Sequence, residues 1–118
     1  MKYLCLGYHD EETWAALSEA QRRALIDESC AYERVLRDAK HVVDARALQG
    51  VSDATTLRFD EGGKMMVTDG PFAETKEQLG GVMVLEADDL NHAIQLLAQM
   101  PCMRVGGSLE IRPINENL

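Results

Sequence analysis

The chain carries several acids and bases at positions where they could transfer a proton or bind a charged ligand. The densest group lies in the stretch VTDGPFAETKEQLGG, residues 67–81, where Asp69, Glu74 and Lys76 follow one another closely. A carboxylate held near a histidine or a second carboxylate is a common arrangement for general acid–base catalysis. This stretch is therefore the first candidate for a functional site.

Ordinary turn chemistry explains only part of this stretch. Asp69-Gly70-Pro71 is typical of a turn, because Asp bonds a backbone N–H ahead of it, Gly allows a positive φ and Pro fixes the exit. The closing pair Gly80-Gly81 is also predicted to form a turn. Turn chemistry gives no reason for an apolar ring beside alternating charges. The residues left for contact with a ligand or a second copy are Phe72, Glu74 and Lys76.

A second candidate, Glu28, lies on a long helix predicted over residues 18–39. At 100° per residue, Glu28 falls within the apolar stripe, between Leu25 and Tyr32. A carboxylate that faces a core costs several kcal/mol unless it is paired, so burial would favour its protonated form. Glu28 would then suit a general acid or base, with Tyr32 or a histidine as proton relay. The alternative is a structural carboxylate at a cleft edge, hydrogen-bonded to Tyr32, Thr68 or a backbone N–H.

The three histidines differ in their predicted positions. His9 ends the first predicted strand beside Asp10, at a polar rim, and is a candidate proton shuttle. His41 follows the long helix, where a capping role beside the helix dipole explains it without any catalytic function. His92 is expected to be solvated on the polar side of a second helix. The partner of Asp69 stays open between His9 and His41.

Composition limits the classes of function. Twelve basic and twenty acidic residues give a net charge of −8, which argues against direct nucleic-acid binding and against an anionic membrane surface. The cysteines Cys5, Cys30 and Cys102 and the histidines lack metal-ligand spacing, and no nucleotide-binding motif is present, so neither a metal nor another cofactor is expected. The absence of a signal peptide or a long apolar span predicts a cytoplasmic protein.

Hydrophobic periodicity predicts the elements that position these residues. A capping box, Ser18 to Gln21, indicates where the long helix starts, and Pro113 places the last strand at a sheet edge. A short helical turn is expected around Trp14. Strands are predicted at 2–8, 41–48, 54–59, 64–68, 81–87 and 108–114, the third and fourth as a hairpin, and long helices at 18–39 and 89–99.

This order of elements is typical of one α+β domain spanning 1–118. Two helices separated by an antiparallel meander predict a ferredoxin-like fold, with an antiparallel sheet and both helices on one face. The other face would keep apolar side chains that need a partner. A second copy is the simplest one, so a homodimer packed sheet to sheet is expected.

The segment TDGPFAETKEQLGG resembles the signature of the DGPF proteins, a branch of the YCII-related superfamily. The likeness continues through MKYLCLGY, DESCAYERVLRDAKH, ALQGVSDATTLRF, ADDLNHAIQLLAQMP and GGSLEIRPI. Lys40 departs from the pattern, because DGPF proteins usually have Gly after the long helix. Either Lys40 makes a left-handed helix cap, or the helix ends in another way.

The resemblance implies a dimeric α/β barrel of ferredoxin-like halves. The wider superfamily is similar to small enzymes with a His–Asp pair in a cleft, which makes Asp69 the best catalytic candidate. DGPF proteins also resemble products found beside extracytoplasmic-function sigma factors, which implies a regulatory link. Three hypotheses follow: an acid–base enzyme in which Lys76 holds an anionic group, a non-catalytic ligand-binding or accessory dimer in a sigma-factor pathway, or a purely structural dimer.

Overall fold

The computed structural model describes residues 1–118 and contains a four-stranded sheet, a separate two-stranded hairpin and three helices. The strands are β1 (Lys2–Asp10), β2 (Val42–Ala47), β3 (Thr55–Phe59), β4 (Met65–Asp69), β5 (Glu77–Glu86) and β6 (Ser108–Pro113). The α-helices are α1 (Glu11–Ala16), α2 (Glu19–Asp38) and α3 (Leu90–Leu97), with 3₁₀ turns at Val51–Asp53 and Pro101–Val105.

The main sheet has the order β2-β5-β1-β6, and each neighbouring pair is antiparallel. This order arises when two strand–helix–strand units interleave, which is the ferredoxin-like arrangement. The predicted α+β fold is therefore confirmed. Strand β6 lies at one edge of the sheet, as Pro113 predicted, because proline has no backbone N–H to donate and is therefore confined to edge strands.

The start of the long helix follows the predicted capping box. The Ser18 hydroxyl accepts a hydrogen bond from the Gln21 N–H at 3.1 Å, and the Gln21 side-chain oxygen accepts from the Ser18 N–H at 2.8 Å. Two backbone donors that the helix cannot satisfy internally are thus paired.

Helix α2 ends in a left-handed cap at Lys40, whose φ is +65°. The His41 N–H donates to the Leu36 carbonyl at 2.8 Å, and the Lys40 N–H donates to the Arg37 carbonyl at 2.9 Å. These two bonds define a Schellman motif. A lysine therefore occupies a conformation that favours glycine.

The packed core lies between the inner face of the main sheet and the two longer helices. Tyr3 pairs with Leu85 and Cys5 with Met83, so four apolar side chains of β1 and β5 point to the same side. All four are buried, and Leu85 is completely inaccessible to solvent. The other buried residues of this core are Leu36, Val42, Ala87, Ala93 and Leu97. The tenth buried residue of the chain is Pro101.

Strand β5 begins at Glu77, four residues before the predicted start. Gly80 and Gly81 consequently lie inside this strand, and their assignment to a turn was wrong. The end of the stretch 67–81 is thus part of the main sheet, beside Asp10 at the end of β1.

The hairpin formed by β3 and β4 is a sheet of its own. Nine of its ten strand residues are exposed, with Thr56 the exception. The polypeptide has no helix with the length and apolar character needed to cross a membrane.

Candidate functional site

A cavity of about 440 Å³ lies between the inner face of the main sheet and helices α1 and α2. Its floor includes a cross-strand row formed by Ala47, Gly81, Gly7 and Leu109. Three of these four residues have a methyl group or no side chain, so this row cannot fill the space below the helices. Next to it, the row with Met83 and Cys5 carries larger side chains.

The walls of the cavity are mainly apolar. Trp14 of α1, Leu25 and Ile26 of α2, and Leu97 of α3 line it, together with Met100. A pocket of this size and character is typical of sites for small organic molecules, which occupy about 300–1,000 Å³.

All three cysteines line this cavity. Burial raises the pKa of the Cys5 thiol to about 11 and also raises the pKa of Cys102. Both thiols are therefore neutral at physiological pH and are poor nucleophiles. They contribute small, polarisable surfaces to an apolar site.

His9 is the polar residue whose position is most closely determined. The pairing of β1 with β5 shifts between Gly7 and Tyr8, so Gly80 is an extra, unpaired residue in a β-bulge. The His9 ring packs directly over Gly80. A Cβ atom at position 80 would stand 2.5 Å from both Cε1 and Nδ1 of His9. Glycine at position 80 is thus required for His9 to occupy this place in the cavity wall.

Asp10 lies beside His9 but is engaged elsewhere. Its carboxylate accepts a hydrogen bond from the Glu12 N–H at 2.9 Å and so caps helix α1. The Lys76 ammonium stands 3.9 Å from the other oxygen of Asp10. Asp10 therefore fixes the start of α1, which carries Trp14 over the cavity.

A second, more open cleft of about 720 Å³ adjoins the cavity. The residues that line both spaces are Tyr8, Asp10, Thr13 and Leu109. Most of the residues that line the cleft are polar, and Lys76 and Glu77 are among them. A ligand in the cavity could consequently extend a polar end towards Lys76.

Asp69 ends β4 and is exposed to solvent. Its backbone is paired with Thr55, and its carboxylate forms no hydrogen bond with His9, His41 or Glu28. Three other residues of this region were predicted to bind a ligand: Thr68, Phe72 and Glu74. All three are exposed, and none of them lines the cavity or the cleft.

Glu28 does not face the core, so that expectation was wrong. Its side chain is about half exposed and forms an ion pair with the Arg104 guanidinium. In this half of α2, Leu25 lines the cavity, whereas Glu28 faces the 3₁₀ turn Pro101–Val105, which carries Arg104.

Tyr32 and His41 hold secondary-structure elements together. The Tyr32 hydroxyl donates to the Leu96 carbonyl at 2.5 Å and joins α2 to α3, and burial raises the pKa of Tyr32. His41 Nδ1 lies 2.9 Å from the Glu86 carbonyl oxygen, and its ring packs edge-on against His92 with centroids 5.1 Å apart.

His92 is not fully solvated as predicted. Its side chain is 27% exposed, and its Nδ1 accepts a hydrogen bond from the Asp88 N–H at 3.0 Å. This contact ties the ring to the residue before the helix cap and leaves it in contact with His41.

The structure thus brings together few of the predicted site residues. His9 lines the cavity and Lys76 lines the adjoining cleft, whereas Asp69 and Glu28 lie apart from both. Sequence reasoning missed Trp14 and the small residues of the floor. Gly7, an isolated glycine in an apolar strand, was the available signal, since such a glycine indicates a bulge or a close approach.

Comparison with known proteins assigns the chain to a family. The model of the YCII-related domain matches residues 1–117. An uncharacterized protein of Rhizobium meliloti (strain 1021) is 32% identical over 115 residues, which is 97% of this chain and 92% of that protein. The chain belongs to the YCII-related family.

Proposed function

We propose that this protein binds a small, mostly apolar molecule in the cavity between the main sheet and helices α1 and α2. The observation that carries the proposal is the cavity itself: about 440 Å³, with apolar walls and two neutral thiols. The space is open to solvent on one side, because Ile26 and Cys30 in its wall are exposed. A well-formed apolar pocket with a few polar groups is the usual location of a small-molecule site.

The polar groups at the cavity suggest what else the ligand carries. His9 offers a ring nitrogen at the cavity wall, and Lys76 offers a cation in the adjoining cleft. A ligand with one hydrogen-bonding or anionic end would satisfy both groups, while its apolar part fills the space near Trp14. A few polar groups in an apolar pocket commonly fix the orientation of a ligand in this way.

The protein acts as a homodimer in this proposal. On the outer face of the main sheet, Leu4, Leu6, Val82 and Val84 are adjacent and partly exposed. Charged residues flank them on both edge strands: Asp44 and Arg46 on β2, and Glu110 and Arg112 on β6. An apolar centre with a charged rim is the usual composition of a protein interface.

Binding without turnover is the function that the site supports best. An acid–base reaction at Asp69 would need a histidine or Glu28 within hydrogen-bond reach, and one chain supplies neither. A regulatory role in an extracytoplasmic-function sigma-factor pathway remains compatible with the proposal, because a signal molecule could bind in the same cavity.

A thermal-shift screen tests the proposal. The panel consists of small amphiphiles that include octanoate, benzoate and indole. We expect at least one to raise the Tm of the wild-type protein by several degrees at saturating concentration, because a ligand that binds only the folded state stabilises it.

The variant Gly7→Val assigns any such effect to the cavity. A Cβ at Gly7 would make ordinary contacts of 3.6 Å with the Gly81 carbonyl and 3.7 Å with Leu109, so valine should be accepted there. It should abolish the ligand-induced shift, whereas Leu6→Val on the outer face should keep it. An equal shift in Gly7→Val, or a panel without any stabilising compound, would reject the cavity as the site.

A further inference from the structure

The β3–β4 hairpin has two chemically different faces. Leu57 pairs with Val67 and Phe59 pairs with Met65, and side chains of directly paired residues point to the same side. These four residues form the apolar face of the hairpin, and the pair Thr55 and Asp69 lies on the same side at the end away from the turn. Their exposed fractions are 60% for Leu57, 70% for Phe59, 52% for Met65 and 59% for Val67.

The opposite face is covered in part by the loop that follows β4. The Thr56 hydroxyl donates to the Gly70 carbonyl at 2.8 Å, and the Arg58 guanidinium donates to the Phe72 carbonyl at 2.9 Å. Thr56 and Arg58 pair with Thr68 and Met66. The loop thus lies on the polar side of the hairpin and leaves the apolar face uncovered.

The chain exposes far more surface than a compact monomer of its size. Its accessible area is 8460 Å², against about 6,400 Å² expected for a monomeric protein of this mass. Its radius of gyration is 16.3 Å, against about 13.5 Å for a compact domain of this length. The surplus of about 2,000 Å² exceeds the roughly 800 Å² that each partner buries in a standard interface.

We propose that the apolar face of the hairpin is an interface with a second copy of this chain. In a dimer with a two-fold axis, the hairpin of each chain would pack on the partner chain, and the apolar faces of both hairpins would be covered in the same way. An isolated two-stranded hairpin is marginally stable in water, so it needs a surface to pack on, and its own chain does not provide one. The inference rests on the proposed homodimer and extends its interface beyond the outer sheet face.

Sedimentation equilibrium of Phe59→Arg and Met66→Arg tests this interface. Both variants place the same charge on the hairpin, but only Phe59→Arg places it on the apolar face. We expect the wild-type protein to have twice the monomer mass at 100 µM or below. Phe59→Arg should weaken dimerisation by at least about thirty-fold, as for loss of a central interface side chain. Met66→Arg should change it by less than about three-fold, as for a surface substitution.

Circular dichroism shows whether the variants are folded, and neither residue belongs to the core. A wild-type monomer at 100 µM would overturn both the dimer and the hairpin interface. A dimer that survives Phe59→Arg, or that both variants weaken equally, would overturn the hairpin interface alone. Ligand stabilisation in monomeric Phe59→Arg reports separately on the cavity, so the two proposals can fail independently.

Discussion

At the scale of single residues, the position of the His9 ring depends on Gly80, a neighbour that has no side chain. The ring of His9 occupies the space where a Cβ of residue 80 would stand. Strand alternation places His9 on the inner side of β1, after Cys5 and Gly7, and the β-bulge in β5 places a residue without a side chain next to the His9 ring. Bulges are common next to functional sites.

Gly80→Ala should displace His9 and weaken ligand binding. The added methyl group would lie 2.5 Å from two ring atoms, so the imidazole must rotate away. We expect the affinity for any ligand from the panel to fall about ten-fold or more, the loss of one good hydrogen bond. Gly50→Ala is the matched control, because its nearest contact is an ordinary 3.7 Å to Glu11. Unchanged affinity in Gly80→Ala would mean that His9 does not touch the ligand.

The buried thiol of Cys5 makes the free energy of unfolding depend on pH in the alkaline range. Its thiol ionises near 9.0 in the unfolded chain and near 11 in the folded one, because burial disfavours the thiolate. The contribution of the protonated Cys5 thiol to the free energy of unfolding is fully present below pH 9 and is lost as the pH rises towards 11. Urea unfolding at pH 8 and 10.5 should therefore show a smaller decline in Cys5→Ala than in the wild type. An identical decline in both proteins would contradict the assignment.

At the scale of elements, periodicity and capping residues located every strand and both long helices. The capping box of α2 and the alternation in β1 and β5 are local signals, so they can be read from neighbouring positions. The floor of the cavity cannot be read in this way. It depends on the register that sets Ala47, Gly81, Gly7 and Leu109 in one row, and four different strands contribute to that register.

The error over Glu28 has a related origin. The predicted stripe was correct for Leu25, Tyr32 and Leu36, which are at least partly buried, but Val35 on the same stripe is 60% exposed. The covered face of α2 is thus turned away from the side that carries Val35 and Glu28. Leu36 packs in the core at one end of α2, whereas Leu25 faces a cavity at the other end. Glu28 could therefore pair with Arg104 at the surface without any burial of charge.

A substitution at the C-terminal end of α2 should stabilise the folded protein. Lys40 has a φ of +65°, which costs an L-residue roughly 1–2 kcal/mol and costs glycine little. Lys40→Gly should raise the free energy of unfolding by about 1 kcal/mol, or Tm by about 4 °C. Lys40→Ala should give no such gain, because alanine has the same strain. An equal gain in both variants would point to the loss of the lysine charge as the cause.

At the scale of the whole molecule, the chain combines a small core with a large uncovered surface. Only 10 of 118 residues are buried, and the apolar residues of the outer sheet face and of the hairpin remain accessible. One chain forms the walls of the cavity, whereas its outer sheet face and its hairpin remain exposed. The proposed ligand binding and the proposed dimerisation therefore involve different surfaces and can be tested separately.

The most direct test of the central claim is an NMR titration of the protein with methyl-labelled methionine. Met83 and Met100 line the cavity, whereas Met65 and Met66 lie on the hairpin and serve as internal controls. Addition of a stabilising ligand such as octanoate should shift the methyl signals of Met83 and Met100 and leave Met65 and Met66 unchanged. Shifts confined to the hairpin methionines would contradict the claim that the cavity is the binding site.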